Sequence, residues 1–240
     1  MRYIFDIETD GLLDTVSTIH CLILKDIDSG EIISYTDNWP EGVKRLEEAD
    51  LIVGHNIIKY DIPVLKKLGT FNSQAQIKDT LVCTRLIWAD IKQSDFNRTD
   101  FPRKLIGSHS LEAWGHRIGN YKGNYDGGWE HFSQEMWEYC IQDVEVTSTL
   151  WNKIVAKNYS EQAMELEHEL AEIIYRQETF GFAFDKERAG SLYAQLSGRK
   201  LELQQQLKAT FPDWEIKTPF TPKVNSKKFG YEKGVLPYKV

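Results

Sequence analysis

Short runs of apolar residues along the first third of the chain predict strands joined by tight turns. Residues 3–8 form a buried run that becomes acidic where it ends, and residues 19–27 and 31–35 follow after turn sequences. Three such strands in succession predict an antiparallel meander. Residues 51–54 form another buried run, and the helix predicted before it favours a parallel strand there.

Helical spacing of apolar residues accounts for most of the remaining chain. The predicted helices cover approximately 40–49, 60–69, 80–87, 111–118, 133–157, 161–181 and 186–210. Asp79, Ser110 and Asp185 each precede one of them and fit N-cap positions. The stretch 90–107 is polar and predicts irregular structure. Strands followed by alternating helices predict an α/β fold with a mixed sheet flanked by helices.

Composition bounds the class of protein. The chain has 240 residues, 41% of them apolar, seven tryptophans and a net charge of −7. The negative charge argues against holding nucleic acid by bulk electrostatic attraction, but it is compatible with binding a strand end through metals and local contacts. Cys21, Cys83 and Cys140 lie in apolar stretches, which predicts reduced core thiols. No apolar run approaches the roughly 20 residues of a membrane span, so we expect a soluble, cytosolic protein.

Two acids lie where the first predicted strand ends. Side chains two residues apart in a strand share a face, so Asp6 and Glu8 are expected to project together while Phe5 and Ile7 face a core. Neighbouring carboxylates repel each other, and a cation between them relieves that repulsion. Oxygen ligands of this kind suit Mg²⁺ or Mn²⁺. The alternative is an ordinary strand end with solvated acids, because the pattern alone is common.

Three other residues could join this pair. Asp61 opens a predicted helix just after the strand 51–54, and Tyr139 and Asp143 are four apart on one face of a long predicted helix. Ligands in open α/β sheets gather at strand ends. If these elements meet there, four carboxylates and one phenol converge. Such a set fits phosphodiester hydrolysis by two metal ions about 3.5–4 Å apart.

Three segments, in this order, resemble the motifs of a known superfamily. Residues 6–8 (Asp-Ile-Glu), 55–61 (His-Asn-Ile-Ile-Lys-Tyr-Asp) and 139–143 (Tyr-Cys-Ile-Gln-Asp) resemble the motifs of the four-acid 3′→5′ exonucleases, in the branch with tyrosine in the third motif. Residues 78–81 and 108–119 resemble the proofreading domain of polymerase-I-like phage replicative DNA polymerases of the T-seven type. The resemblance covers the first two-thirds of the chain and implies a ribonuclease H-like exonuclease fold with a C-terminal helical extension.

This resemblance implies catalytic roles for five residues. Asp6, Glu8 and Asp143 are expected to hold a first metal ion, and Asp6 is expected to bridge to a second. Asp61 is expected to hold the waters of the second ion. Tyr139 is expected to position the attacking hydroxide. The implied cofactors are two Mg²⁺ or Mn²⁺ ions.

The same resemblance implies four substrate contacts, each with a structural alternative. The backbone around Thr9, and Leu12 or Leu13, are expected to touch the terminal nucleotide, and Asn56 is expected to tie the strand end to the site. Leu12 and Leu13 could instead be core residues, and Asn56 could only cap the turn after its strand. Asp79 fits a helix N-cap better than a metal ligand.

Other polar residues near the motifs have ordinary explanations. His55 fits a hydrogen-bonded residue at a strand end better than a general base. Arg98, Arg103 and Lys104 are either solvated or in contact with phosphate, and both alternatives stay open at this point.

The chain is predicted to have three parts. These are a 3′→5′ exonuclease domain over 1–157, a helical extension over 158–210 that resembles the start of a polymerase domain, and a basic, irregular tail over 211–240. The metal-binding motifs of a polymerase palm are absent from the sequence. The expected partners are therefore a DNA 3′ end and a polymerase domain, in cis or on a separate chain. A processivity factor could also bind, although no site for it is evident.

The expected activity is metal-dependent removal of nucleotides from single-stranded or frayed DNA 3′ ends, as the proofreading part of a phage-type DNA polymerase in a bacterial host cytoplasm. One alternative is an exoribonuclease of the same superfamily, which a C-terminal helical RNA-binding domain would favour. Residues 181–185 resemble a polymerase instead. The other alternative is a catalytically inactive module that only holds DNA. Loss of one acid would indicate it, and all four are present.

Overall fold

One mixed sheet of five strands has the acidic strand at its centre. The strands are β1 Arg2–Thr9, β2 Ile19–Asp26, β3 Ile32–Tyr35, β4 Leu51–Gly54 and β5 Gln76–Asp79. Their spatial order is β3-β2-β1-β4-β5, with β1–β2 and β2–β3 antiparallel and β1–β4 and β4–β5 parallel. The predicted meander and the predicted parallel strand are confirmed. This computed structural model describes residues 1–211, 218–219, 221–228, 232–234 and 238–239.

Helices surround this sheet and continue beyond it. They are α1 Trp39–Glu47, α2 Asp61–Leu68, α3 Thr80–Ile87, α4 Ile91–Phe96, α5 Leu111–Ile118, α6 Gln134–Val155, α7 Glu161–Phe180 and α8 Lys186–Thr210, with a 3-10 turn at Arg103–Leu105. Asp79, Ser110 and Asp185 each accept a backbone N–H of the helix that follows. The three predicted N-caps are confirmed.

The alternation of side chains along β1 decides which face of the sheet carries Asp6 and Glu8. Tyr3, Phe5 and Ile7 are buried in a cluster with residues of α1 and α2. Ile4 lies in a second cluster with residues of α3, α5 and α6. Because side chains two apart share a face of a strand, Asp6 lies with Ile4 on the side that α6 covers.

The described residues fall into two compact units, of which the first is Met1–Gly181. This unit includes α7, which the sequence assigned to the helical extension. Helix α7 packs on α3 and β5, and its buried His168 accepts the backbone N–H of Asp79 at Nε2, at 2.7 Å. The other ring nitrogen donates to the Met164 carbonyl at 2.6 Å. A polar side chain therefore fastens α7 to the end of β5.

The second unit is Phe182–Val240. It contains α8, which has no buried residue, and a short antiparallel pairing of Thr218–Pro219 with Tyr238–Lys239. Much of the predicted tail 211–240 lies outside the described residues. Among the residues described in both units, no helix combines the length and the apolar character needed to cross a membrane.

The stretch 90–107, predicted to be irregular, contains α4 and the 3-10 turn. Asp95 on α4 and Arg117 on α5 form an ion pair with both side chains buried, through hydrogen bonds of 3.0 and 2.7 Å. Asp95 also accepts the Gly107 backbone N–H at 2.9 Å. The prediction was wrong because a tertiary contact, which local sequence does not reveal, stabilises this polar helix.

Asp95→Asn is expected to lower the free energy of unfolding by about 3–5 kcal/mol, because it leaves the Arg117 charge buried without its partner. Burial opposes ionisation of Asp95, but hydrogen bonds from Arg117 and Gly107 outweigh it and hold the pKa of Asp95 below its ordinary value. The stabilisation is therefore present above the unfolded-state pKa and is lost as pH falls through the folded-state pKa.

Urea unfolding at neutral and at acid pH measures both effects. Glu112→Gln is the control, because it removes an exposed ion pair with Lys104 and should change the free energy by about 0–1 kcal/mol. Equal losses for Asp95→Asn and Glu112→Gln would show that the buried pair is not important for stability.

Candidate active site

Four acids from three elements meet at the C-terminal end of β1. Glu8, Asp61 and Asp143 are 8%, 4% and 3% exposed, and Asp6 is partly buried. The pKa of Asp6 is raised well above its ordinary value, first by burial and then by the charges of Asp61, Glu8 and Asp143. The structure thus brings together all four carboxylates that the sequence singled out.

A tight turn after β4 positions Asp61. Gly54 ends β4, where a Cβ atom would lie 2.3 Å from the Ile57 side chain and 3.0 Å from a backbone oxygen of β1. Asn56 then adopts a left-handed φ of 65°. The chain can therefore turn directly from β4 into α2, whose first residue is Asp61. The backbone N–H groups of Asp61 and of Ile7 on β1 lower the pKa of this carboxyl and oppose part of the effect of burial.

Helix α6 supplies the fourth acid and the phenol. Tyr139 and Asp143 lie one turn apart on it, so they face the same side. Cys140 follows Tyr139, is fully buried, and donates a long hydrogen bond of 3.6 Å from Sγ to Asp6 Oδ2. Apolar packing of α6 residues against Ile4 holds this helix on β1, and Asp143 faces the acids of that strand.

Burial makes the charged forms of these acids costly. Burial, and then the charge of Asp143, raises the pKa of Glu8 to about 9. The pKa of Asp61 is raised to about 7, chiefly by burial. Burial also raises the pKa of Asp143, although the ammonium of Lys122 opposes it. The cluster is therefore a site where a bound cation removes a large electrostatic penalty.

Lys122 is a member of this site that the sequence analysis missed. Its Nζ donates a hydrogen bond to Asp143 Oδ2 and lies 4.5 Å from the centroid of the Tyr139 ring. Burial lowers the pKa of Lys122, but the charge of Asp143 and the hydrogen bonds to Asp143 and Tyr139 together outweigh burial, so the net shift is upward. Lys122 lies in a loop with neither helical nor strand periodicity, so its place in space was not readable from the sequence.

The donor set fits hard divalent cations. Ligand atoms of Asp6, Glu8 and Cys140 lie within 4.8 Å of one another, and Asp143 Oδ1 is buried without a hydrogen-bond partner. Burial raises the pKa of Cys140 well above its ordinary value, so its sulfur stays a neutral thiol. The remaining donors are carboxylate oxygens, which suit Mg²⁺ or Mn²⁺.

The predicted substrate contacts occupy different environments. Thr9 is buried and its Oγ1 donates to the Gly11 carbonyl at 3.1 Å, while the Tyr60 hydroxyl donates to the same carbonyl at 2.5 Å. These bonds fix the turn after β1. Leu12 is 78% exposed, whereas Leu13 packs against the first apolar cluster. Of the two leucines, Leu12 is the one with a free surface, and Leu13 serves the core.

Two neighbouring polar residues have structural roles. Asp79 caps α3 and also accepts the backbone N–H groups of Asn56 and Ile58, at 2.8 and 3.1 Å. Its oxygens are therefore committed to the backbone. His55 Nδ1 forms a hydrogen bond of 2.8 Å with Oγ1 of Thr80, the first residue of α3. Burial lowers the pKa of His55 to about 3. His55 is therefore a neutral, hydrogen-bonded histidine.

Sequence comparison relates the chain to phage DNA polymerases. No family model matches it. It is 34% identical to the DNA-directed DNA polymerase of Escherichia phage T7 over an alignment of 260 residues, which covers 87% of this chain and 37% of that protein. The DNA-directed DNA polymerase of Enterobacteria phage T3 is 34% identical over 263 residues, with the same coverage. The predicted resemblance is confirmed, and the chain spans little more than a third of the length of these relatives.

Structure comparison concerns the fold. The structure of Brucella melitensis NrnC bound to pGG is similar with a TM-score of 0.51 and 16% sequence identity, covering 77% of this chain and 88% of that one. At such low identity the likeness describes architecture alone. The predicted α/β fold, with helices around a mixed sheet, is confirmed.

Glu8→Gln is expected to flatten the pH dependence of stability in metal-free protein. With a folded-state pKa of about 9 against an ordinary value of 4.5, Glu8 holds a proton that the unfolded chain releases. The stability due to neutral Glu8 is fully present below the unfolded-state pKa and is lost as pH rises through the folded-state pKa. Glutamine does not titrate, so this loss disappears.

Thermal unfolding in EDTA across a pH series measures this dependence. Glu138→Gln is the matched control, because Glu138 is an exposed acid on α6 whose neutralisation should leave the pH dependence unchanged. A curve for Glu8→Gln that runs parallel to the wild-type curve would show that Glu8 is not buried in this acidic cluster.

Proposed function

We propose that this chain, which is similar to phage DNA polymerases over most of its length, is a metal-dependent 3′→5′ exodeoxyribonuclease. It removes nucleotides from DNA 3′ ends as the proofreading part of such a polymerase. The observation that carries this proposal is the group of four carboxylates, three buried and one partly buried, at the end of β1, namely Asp6, Glu8, Asp61 and Asp143. Similarity to DNA polymerases supports DNA as the substrate.

The carboxylates would hold two Mg²⁺ or Mn²⁺ ions. Asp6, Glu8 and Asp143 would hold the first, and Asp6 and Asp61 would serve the second. Bound ions of this kind supply Lewis acidity to the attacking and leaving oxygens of a phosphodiester. Lys122, which already donates to Asp143, is placed to add a positive charge beside the phosphate.

Tyr139 acts as a proton-bearing group that orients water. Burial, and then the charge of Asp143, raises its pKa above the ordinary value, so the phenol stays protonated at neutral pH. A protonated phenol can donate a hydrogen bond and hold an attacking water in line, but it does not remove the proton of that water. The role of Tyr139 is therefore positional.

The turn after β1 would receive the terminal nucleotide. Thr9 and Tyr60 fix the Gly11 carbonyl, which leaves Leu12 projecting from a rigid turn. We assign Leu12 and the Thr9 backbone to the terminal nucleotide, Leu13 to support of Leu12, and Asn56 to the neighbouring edge of the site.

Residues 1–157 would form the exonuclease domain, the helical part over 158–210 would lead into a polymerase domain in cis or bind one as a separate chain, and the site of action would be a host cytoplasm. The four acids alone do not distinguish a DNA-specific exonuclease from the alternative, an exoribonuclease. A catalytically inactive module is disfavoured because all four acids are present and buried together.

Digestion of 5′-labelled oligonucleotides tests the function. Single-stranded DNA should shorten stepwise from its 3′ end with Mg²⁺ or Mn²⁺, duplex DNA more slowly, and neither should be cut in EDTA. Faster digestion of RNA of the same sequence would favour the exoribonuclease. Internal cleavage of circular DNA, or digestion without a metal, would contradict the mechanism.

Tyr139→Phe is expected to slow hydrolysis far less than Asp143→Ala. The first variant loses a contribution to water positioning, of the kind worth about 10²–10⁴-fold, while the second also loses a metal ligand. Single-turnover rates on single-stranded DNA measure both. Trp137→Phe is the control, because it changes an aromatic residue of the same helix that has no proposed role in catalysis. Equal losses for Tyr139→Phe and Asp143→Ala would remove Tyr139 from this role.

A further inference from the structure

Three aromatic rings form a continuous wall beside the acids. The aromatic wall consists of Tyr125, Trp129 and Tyr139, with ring centroids 4.8 Å apart for Tyr125–Trp129, 5.8 Å for Tyr125–Tyr139 and 6.5 Å for Trp129–Tyr139. Tyr125 and Tyr139 are half-buried, but Trp129 is 40% exposed. The wall therefore leads from the helix α6 out to solvent and ends in an indole that the fold only partly covers.

This wall is fixed rather than loose. His20, buried on β2, bonds the Trp129 carbonyl through Nε2 at 2.8 Å. The Tyr125 hydroxyl donates to the Gly128 carbonyl at 2.7 Å and lies 3.3 Å from Ser133 Oγ, the cap of α6. A surface whose supporting backbone and Tyr125 ring are held in place loses less conformational entropy when a flat ligand stacks on it.

The wall is also continuous with the acidic site. Tyr139 lies one turn from Asp143, and Lys122 contacts both, through a hydrogen bond to Asp143 and a position over the Tyr139 ring. On β2, His20 precedes Cys21, which pairs with Glu8. A strand whose phosphate lies at the acids would thus have its neighbouring base within reach of the wall.

The negative charge of the chain favours a binding surface that does not depend on basic residues. At a net charge of −7, the protein as a whole repels a nucleic-acid backbone. Stacking of bases on aromatic rings needs no positive charge and is tolerant of sequence. Affinity for a strand would then depend on ring contacts more than on basic residues.

Resting on the proposed exonuclease function, we propose that the aromatic wall is a nucleobase subsite, in which Trp129 stacks on an unpaired base next to the scissile phosphate. A base in a duplex has both faces covered by its neighbours and cannot enter. The wall therefore selects single-stranded ends, and Trp129 is a specificity residue outside the chemistry.

Binding of fluorescein-labelled oligothymidylate in EDTA tests the subsite without hydrolysis. Trp129→Ala should weaken binding roughly 5- to 150-fold, and Trp129→Phe should retain most of it. Tyr159→Ala is the control, because Tyr159 is also partly exposed, at 41%, and lies beyond the C-terminal end of α6. That end of the helix is about 24 Å from Tyr139, at a rise of about 1.5 Å per residue. Far-ultraviolet dichroism confirms that each variant is folded.

An abasic scan separates stacking from a merely structural role. A single abasic nucleotide is placed at each of the last few positions of the oligonucleotide. At one position it should weaken wild-type binding about as much as Trp129→Ala does, and Trp129→Ala should be insensitive to it. Equal sensitivity of both proteins at every position, unchanged binding by Trp129→Ala, or no binding by wild type would each overturn the proposal.

Failure of the subsite and failure of the proposed function give different results. If wild type shows the abasic pattern but does not digest DNA with Mg²⁺, the subsite stands and the exonuclease assignment fails. If wild type digests DNA and Trp129→Ala has the same KM and the same preference for single strands over duplex, the exonuclease stands and the subsite fails. The subsite predicts a higher KM, a weaker strand preference and a nearly unchanged kcat.

Discussion

Burial of several carboxylates within one site is the constraint on which the rest of this structure depends. Burial is the largest cause of the raised pKa values of Asp6, Glu8, Asp61 and Asp143, so the folded chain concentrates ionisable groups where their charged forms are least favourable. Packing elsewhere must supply the stability that this site removes. The two apolar clusters on the faces of the sheet do so, and they also hold β1 and α6 at the separation that the acids require.

Two buried aspartates show how differently the fold treats a helix-capping acid and a member of the acidic cluster. Asp79 accepts backbone N–H groups from Asn56, Ile58 and Leu81, so both of its oxygens are hydrogen-bonded. Asp143 has one oxygen bonded to Lys122 and the other without a partner. A buried carboxylate left partly unsatisfied retains capacity for a further ligand, and it is this acid that lies beside Asp6 and Glu8.

The parts of the site that the sequence predicts are those governed by regular spacing. Strand alternation gives the shared face of Asp6 and Glu8, and helical spacing gives that of Tyr139 and Asp143. Capping preferences likewise predict helix starts. Lys122 and helix α4 were missed because each depends on a partner distant in sequence: Lys122 reaches Asp143 from an irregular loop, and α4 is fixed by a buried ion pair. Local patterns do not report such contacts.

Anomalous diffraction from crystals of the protein with Mn²⁺ and a short oligothymidylate tests directly whether the four carboxylates bind two cations. It locates the cations without relying on a rate. Two manganese peaks are expected about 3.5–4 Å apart, with Asp6 between them, carboxylate oxygens of Glu8 and Asp143 as the other ligands of the first ion, and Asp61 beside the second. With cations bound, Lys122 should no longer be the sole hydrogen-bond partner of the Asp143 carboxylate. No manganese at these acids, or manganese bound only elsewhere while the Lys122–Asp143 pair stays intact, would contradict this two-cation site.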